Sequence, residues 1–478
     1  MCPESNLSAD IGLLGLAVMG ENLVLNMEGY DKTVAVFNRT LKKVDDFAAD
    51  KAKGKKIIPT HSVEEFVDSL ASPKKIIIMV KAGEPVDQVI EQLVPLLGKG
   101  DLIIDGGNSY FLDTIRRSAS LGDKGIHFLG TGISGGEEGA LKGPSLMPGG
   151  SRAAYDLVNS LLQEISAHVD GVPCCVYIGD NGAGHFVKTV HNAIEYGDMQ
   201  LIGEAYYLMK NALGFNSSRM HEVFAQWNQG KLNSFLIEIT SDILRRKDPK
   251  TGHPLVEMIL DKAGQKGTGA WAGKTALEVG SVVPTLVEAV FARSMSALQS
   301  ERKAAAKRLK GPVNKFEGDK DAFLVALEDA LYASKICTYA QGFALMSAAA
   351  REYNWRLNLG EIAMIWRGGC IIRAQFLDSI KEAYESSPHL RNLMLDSNFK
   401  ELLERNQQNW RKVVIEAAGL GIPVPAFSSA LNYFDSYRTR RLPANMIQAQ
   451  RDYFGAHTYQ RIDAEGNFHT DWRSLPKL

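Results

Sequence analysis

The sequence predicts an α/β fold: a doubly wound, mostly parallel sheet, then a large all-α domain and a C-terminal tail. Three observations carry this expectation. Short apolar runs alternate with helical stretches over the first third of the chain. After about Gly184 the strand signal fades, and long helical patterns rich in Ala, Leu, Met and Glu follow. From residue 438 the pattern breaks again, in a polar, aromatic segment punctuated by Pro443, Gly455, Gly466 and Pro476. Strands and helices that alternate imply βαβ units around a parallel sheet. The expected divisions are residues 1–183, 184–437 and 438–478.

The strand candidates, in order, are residues 10–14, 33–37, 75–80, 102–105, 126–130 and 175–178. Each is a short apolar run bounded by turn or helix signals. Residues 245–273 form a polar excursion with Pro249 and Pro254, expected to be loop in large part. The helical part carries a faint internal repeat. Trp227 and Trp366 lie 139 residues apart, and at that offset Gly203 matches Gly342, Ala205 matches Ala344, Glu222 matches Glu361 and Gly230 matches Gly369. The period exceeds that of the common solenoids, so two copies of one helical unit are expected rather than an array.

Bulk composition excludes several function classes. The chain has 478 residues with 54 basic and 55 acidic side chains, so it lacks the basic excess of a general nucleic-acid binder. Cys2, Cys174, Cys175, Cys337 and Cys370 show no C-x-x-C pair and no zinc spacing, and read as reduced thiols. Residues 1–9 contain neither a basic n-region nor an apolar h-region, so no signal peptide is expected. No apolar run approaches the ~20 residues that span a bilayer. The expectation is a cytoplasmic globular protein.

The first strand runs into Gly15-Leu16-Ala17-Val18-Met19-Gly20. This is a dinucleotide fingerprint with Ala in the middle slot. Gly15 permits the tight turn, Ala17 allows close backbone approach to a pyrophosphate, and Gly20 lets the helix pack on the strand. The helix N-terminus then offers free N–H groups and a positive dipole end. The alternative is a strand–helix turn without a ligand; a strand before the motif and a helix after it favour the Rossmann-type reading. The second strand ends in Asn38-Arg39-Thr40. An NAD site normally has an acid there. Arg39 can instead fork onto a 2′-phosphate, with an amide and a hydroxyl beside it, which would select NADP; the alternative is an ordinary solvated surface Arg.

Three further loops leave the carboxyl ends of strands, where a doubly wound sheet binds its ligands. They are Val80-Lys81-Ala82-Gly83, Asp105-Gly106-Gly107-Asn108-Ser109 and Gly132-Ile133-Ser134-Gly135-Gly136. In the helical stretch that follows, Lys188, His191, Asn192 and Glu195 fall at i, i+3, i+4 and i+7 and share one face. Val187, Val190 and Ile194 take another face. A base and an acid one to two turns apart suit proton-transfer chemistry; a solvated polar stripe would look the same. At the repeat offset these four positions become Leu327, Ala330, Leu331 and Ser334, so only one copy carries the polar set.

These residues resemble the decarboxylating 6-phosphogluconate dehydrogenases, cytosolic enzymes of the oxidative pentose phosphate pathway, over essentially the whole length. The matching stretches are GLAVMG at 15–20, FNRT at 37–40, DGGNS at 105–109, SGGEEGA at 134–140, GHFVKTVHNAIEYGDM at 184–199, QKGTG at 265–269 and QAQRDYFGAHTY at 448–459. The resemblance implies an NADP-binding domain over 1–183, a substrate and dimerisation domain over 184–437, and a tail reaching the partner subunit of a homodimer. It implies oxidation of 6-phosphogluconate at C3, loss of CO2, and release of ribulose 5-phosphate with NADPH. It makes Lys188 the base at the C3 hydroxyl and Glu195 the acid that protonates C1 of the enediol. Residues 15–20, Asn38, Arg39, Thr40, Val80, Lys81, Ala82 and Asn108 would meet the cofactor. Asn108, Ser134, Gly135, Gly136, His191 and Asn192 would hold the sugar hydroxyls and carboxylate. Tyr196, Lys266, Thr268, Arg293 and Arg451 would grip the phosphate, and His457 would reach a neighbouring subunit's site. No metal is expected, because a β-keto acid decarboxylates once its carbonyl is polarised. The chain departs from the family at Ala270, where many members carry Lys, so weaker phosphate binding by this loop is expected if that Lys contributes in those members. Two other readings stay open on the residues alone: a non-decarboxylating NADP-dependent β-hydroxyacid dehydrogenase, and an NADP-sensing binding protein.

Overall fold

A computed structural model describes residues 8–473. Cys2 and most of the N-terminal segment read for targeting lie outside the described residues. The chain divides into two compact units, Met1–Ala430 and Leu431–Leu478.

The first unit opens with the expected doubly wound sheet. Its strands are β1 (Ile11–Leu14), β2 (Val34–Phe37), β3 (Ile57–Pro59), β4 (Lys75–Ile78), β5 (Leu102–Asp105), β6 (His127–Ser134) and β7 (Ser145–Gly150). Their spatial order is β3-β2-β1-β4-β5-β6-β7. All pairs are parallel except β6 with β7. The order reverses between β1 and β4, which opens a crevice at their carboxyl ends. The central strands are apolar on both faces and lie between two buried clusters, one built around Leu13, Val36 and Ile104, the other around Phe66, Ile78 and Phe128.

Five of the six expected strands form. The sixth, residues 175–178, runs extended beside β7 and bridges it only at Cys175 and Gly179. β3 and β7 were not legible. β3 has only three residues. β7 reads Ser-Leu-Met-Pro-Gly-Gly, a turn-like composition that an antiparallel edge strand tolerates because it gives up few ladder bonds.

The helices that position the site are α1 (Val18–Gly29), α2 (Glu84–Leu93), α3 (Phe111–Gly122), α4 (Ala183–Asn211), α5 (Ser217–Trp227), α6 (Phe235–Arg245), α7 (Thr268–Glu278), α8 (Pro284–Ala297), α9 (Lys320–Glu352), α10 (Leu359–Ile365) and α11 (Leu377–Ser386). The internal repeat is structural. Displacing α4, α5 and α6 by 139 residues lands on α9, α10 and α11. The two copies also pair with each other. The Phe235 N–H donates to Arg373 O at 3.1 Å and the Gln375 N–H to Asn233 O at 3.1 Å, so equivalent segments cross in an antiparallel bridge. α4 and α9 are locked by a fully buried ion pair, Lys335 Nζ to both Asp198 oxygens at 2.7 Å. The 245–273 excursion is mostly loop, interrupted by the single turn Leu255–Met258 and the start of α7.

The second unit is held by a carboxylate rather than an apolar core. Asp452, on the helix Ala444–Gly455, is completely buried. It accepts from the Thr458 and Thr470 N–H groups at 3.0 and 3.1 Å, from Trp472 Nε1 at 2.8 Å and from His469 Nδ1 at 2.9 Å. Burial alone would push this carboxyl up. The bonds from His469, Thr470 and Trp472 outweigh it and hold the group at about 2. The sequence showed few apolar residues at helical spacing here, and this polar hub explains how the segment folds without them. No helix among the described residues is long and apolar enough to cross a membrane.

Candidate active site

The β1–α1 turn is built as its motif requires. Gly15 has φ +114°, and a Cβ there would meet Met79 O at 2.4 Å. A Cβ on Gly20 would meet Gly15 O at 2.0 Å. Ala17 sits extended at the N-cap with no side-chain cap, and Val18 is exposed, so the first N–H groups of α1 face outward unsatisfied. The Leu16 N–H donates to Asn38 Oδ1 at 3.0 Å, and Asn38 Nδ2 donates to Thr40 O at 3.1 Å. Asn38 thereby ties the fingerprint turn to the β2 loop. Arg39 is exposed and makes no hydrogen bond or ion pair with a described residue, which leaves its guanidinium available. A capless helix start, a glycine cradle and a free Arg beside it fit a dinucleotide with a 2′-phosphate.

The loops after β4 and β5 stand beside this turn. Asn108 is exposed, whereas Asp105 and Ser109 are buried beneath it. Ser109 Oγ donates to Asp105 Oδ2 at 2.6 Å and the Gly107 N–H to Asp105 Oδ1 at 3.0 Å, which fixes the turn that displays Asn108.

The first turns of α4 lie along β6 and β7 because both strands are glycine-rich at the contact. A Cβ on Gly132 would lie 2.4 Å from Lys188 Cβ, and one on Gly184 would lie 2.3 Å from Met147 O. This close approach buries the polar face of α4 and rules out the solvated stripe. Lys188 is 6% exposed and His191 is fully buried. Burial pushes the Lys188 amine down to about 8, against the pull of Glu195. Burial and the neighbouring Lys188 hold His191 well below its ordinary value, so its ring is neutral. In one tautomer Lys188 Nζ donates to His191 Nδ1 at 3.3 Å while Nε2 donates to Ser134 Oγ at 3.1 Å; in the other, Nδ1 donates to Asn192 Oδ1 at 3.1 Å. Glu195 Oε2 lies 3.9 Å from the same Nδ1. Burial raises the Glu195 carboxyl, with Lys188 and Arg293 pulling the other way. A base lowered towards neutrality and an acid raised from its usual range share one face, the division that general acid–base chemistry requires.

Tyr196 gathers most of the expected phosphate grip. Arg293 lies over its ring at 3.4 Å, the Lys266 N–H donates to its hydroxyl at 3.4 Å, and Gly269 leaves room for the ring edge. Thr268 begins α7 after Gly267 at φ +93°. Ala270 is exposed on the first turn of that helix. Gly135 and Gly136, at φ +125° and +62°, turn the chain after Ser134. Arg451 and His457 lie exposed on the second unit. Residues that the sequence did not single out also line the site. Trp366, noticed only as a repeat marker, packs edge-on against His191 at 5.6 Å. Cys370 lies close enough to Lys188 for the two to interact electrostatically. Their only sequence signal was position in the second repeat copy.

The comparisons with known proteins follow this geometry. The model of the NAD binding domain of 6-phosphogluconate dehydrogenase matches residues 10–179, and that of the 6-phosphogluconate dehydrogenase C-terminal domain matches residues 184–472. The chain is 58% identical over 463 residues to the NADP(+)-dependent, decarboxylating 6-phosphogluconate dehydrogenase of Bacillus subtilis, covering 97% of this chain and 98% of that one. It is 56% identical to the decarboxylating enzyme of Ovis aries, covering 97% and 96%. The Plasmodium falciparum 6-phosphogluconate dehydrogenase, solved in apo form and in complexes with NADP+ and 6-phosphogluconate, superposes with a TM-score of 0.93 at 46% identity, over 97% of this chain and all of that one. The two family models together span residues 10–179 and 184–472, and the chain belongs to the decarboxylating 6-phosphogluconate dehydrogenase family.

Proposed function

We infer that this chain oxidises 6-phosphogluconate at C3 and decarboxylates the product, yielding ribulose 5-phosphate, CO2 and NADPH. The observation that carries this reading is the buried Lys188 amine on one helix face with His191, which it reaches at 3.3 Å, and Glu195. NADP, when bound, accepts the hydride from C3. Lys188 takes the C3 hydroxyl proton, and its ammonium then polarises the C3 carbonyl while the C1–C2 bond breaks, C1 leaves as CO2 and the former C2 becomes C1 of the enediol. Glu195 delivers a proton to C1 of the enediol. Ser134, Gly135, Gly136, His191, Asn192 and Asn108 hold the sugar and its carboxylate. Tyr196, Lys266, Thr268 and Arg293 form the cationic, hydroxyl-rich end for the phosphate, and Arg451 from the tail of a second copy of the chain is the further cation for it in this reading. The decisive assay follows absorbance with 6-phosphogluconate and NADP or NAD, and traps CO2. Equal amounts of NADPH and CO2, with NADP preferred, are expected. NADPH without CO2 would establish the non-decarboxylating reading, and no turnover the binding-protein reading.

Arg39 is the cofactor selector in this reading. Arg39→Glu should cut kcat/KM with NADP far more than with NAD. It removes a charge-assisted bond worth roughly 1.5–3 kcal/mol and places a carboxylate beside the 2′-phosphate. An NADP/NAD preference preserved within about threefold, or ~0.6 kcal/mol, would clear Arg39 of this role.

The enzyme works as a cytoplasmic homodimer whose tails complete the partner's sites. Four buried free thiols suit a reducing compartment. Exposed apolar groups support the dimer: Phe291 and Met295 on α8, Met258, Ile259 and Leu260 on the preceding excursion, and Phe454 at 72% exposure on the second unit. Mixing Lys188→Met with Arg451→Ala under subunit exchange should restore part of the activity, since one hybrid site regains both residues. Confirmed hybrids without activity would mean that each chain completes its own site.

A further inference from the structure

One buried guanidinium outside the assigned set touches two of the ligand loops. Arg117, on α3, is 2% exposed, although its neighbour Arg116 is a surface residue. Arg117 Nη2 donates to Gly83 O at 3.0 Å and to Asp87 Oδ2 at 2.9 Å, and Nε donates to Asp87 Oδ1 at 2.8 Å. Gly83 ends the loop after β4 and caps α2, whose first turn carries Asp87. On its other side, Arg117 Nη1 reaches Asp105 Oδ2 at 3.5 Å. That carboxylate is itself buried, and it holds Gly107 and Ser109 in the turn that displays Asn108. The turn is anchored again from α4, where His185 Nε2 meets Asp105 O at 3.1 Å, one helical turn before Lys188.

A buried charge is retained only where its partners satisfy it. Here the partners are the 80–83 loop and the 105–109 loop, and one rigid planar fork spans both. We propose that Arg117 is a positioning residue that sets the spacing between the cofactor loop 80–83 and the Asn108 turn. This rests on the assignment of those loops to the ligands given above. Arg117 touches no ligand; it fixes the backbone that does.

Two variants test it. Arg117→Lys keeps the charge and gives up the fork. Asp87→Asn leaves Arg117 in place and weakens its grip on α2, at a partly exposed position that should not block folding. In both, the KM for NADP should rise about tenfold or more, with kcat falling as well. Asp87→Glu should recover part of both. A merely structural role would lower the amount of active enzyme, and hence the apparent kcat, but leave KM unchanged. A KM for NADP within threefold of wild type in folded Asp87→Asn therefore overturns the proposal, whatever happens to Arg117→Lys. Asn108→Ala is the control for the underlying assignment. If it leaves the KM values of both substrates unchanged, the loop assignment fails and the clamp with it. If it raises them while Asp87→Asn does not, the clamp alone fails.

Discussion

Lys188→Met is expected to abolish formation of NADPH while leaving NADP binding within about threefold of wild type, or ~0.6 kcal/mol. Met fills a similar volume, and the site it would occupy is already buried, so the fold should accept it. What disappears is the acceptor for the C3 hydroxyl proton. Loss of a positioned base costs about 100- to 10,000-fold. The wild-type pH profile provides an independent check. The amine must be neutral to act, and burial holds it at about 8. Protonation removes the base, so activity falls as pH drops below that value. With 6-phosphogluconate, log kcat/KM should climb by about one per pH unit from the acid side and level off above about 8. A Lys188→Met enzyme within tenfold of wild type, or a flat profile between pH 6 and 8, would remove Lys188 as the base.

Much of this was legible because the residues involved obey local rules. The Gly15–Gly20 turn is readable because Gly15 and Gly20 sit where no Cβ fits, and that constraint is written in the sequence itself. The polar face of α4 was readable from spacing, but its burial was not. Whether Lys188 is wet or dry depends on Gly132 and Gly184, far from it in sequence or hidden in an ordinary-looking helix start. The same applies to Arg117. In sequence it is half of an Arg-Arg pair on an amphipathic helix, and only the fold turns one of the pair inward to Asp87 and Asp105. The Lys335–Asp198 pair shows the limit most clearly, because both residues lie in long helices where such charges usually face water. β7 stayed hidden because Pro148, Gly149 and Gly150 are turn formers that only an edge position allows in a strand. The repeat was faint in identities yet visible in structure, since the order and spacing of the helices persist after side chains diverge.

Glu195→Gln separates the second proton transfer from the first. Gln keeps the shape and much of the hydrogen bonding but has no proton to deliver. Burial raises the Glu195 carboxyl, so the protonated acid persists to higher pH than in an exposed Glu. Its role comes after oxidation and CO2 loss, at C1 of the enediol. Steady-state turnover should therefore fall about 100- to 10,000-fold, as for loss of any positioned acid. Rapid mixing should nevertheless show a burst of NADPH equal to one per active site before the slow phase. Lys188→Met should show no burst, because it fails before NADPH appears. Deuterium oxide provides a second readout. Wild type should place one solvent deuterium at C1 of ribulose 5-phosphate with fixed stereochemistry. In Glu195→Gln, any product should carry it on either face, since the enediol would be protonated by water. A Glu195→Gln enzyme whose first turnover is as slow as its later ones, with stereospecific labelling intact, would place Glu195 at or before the oxidation and leave the enediol's acid elsewhere on the site.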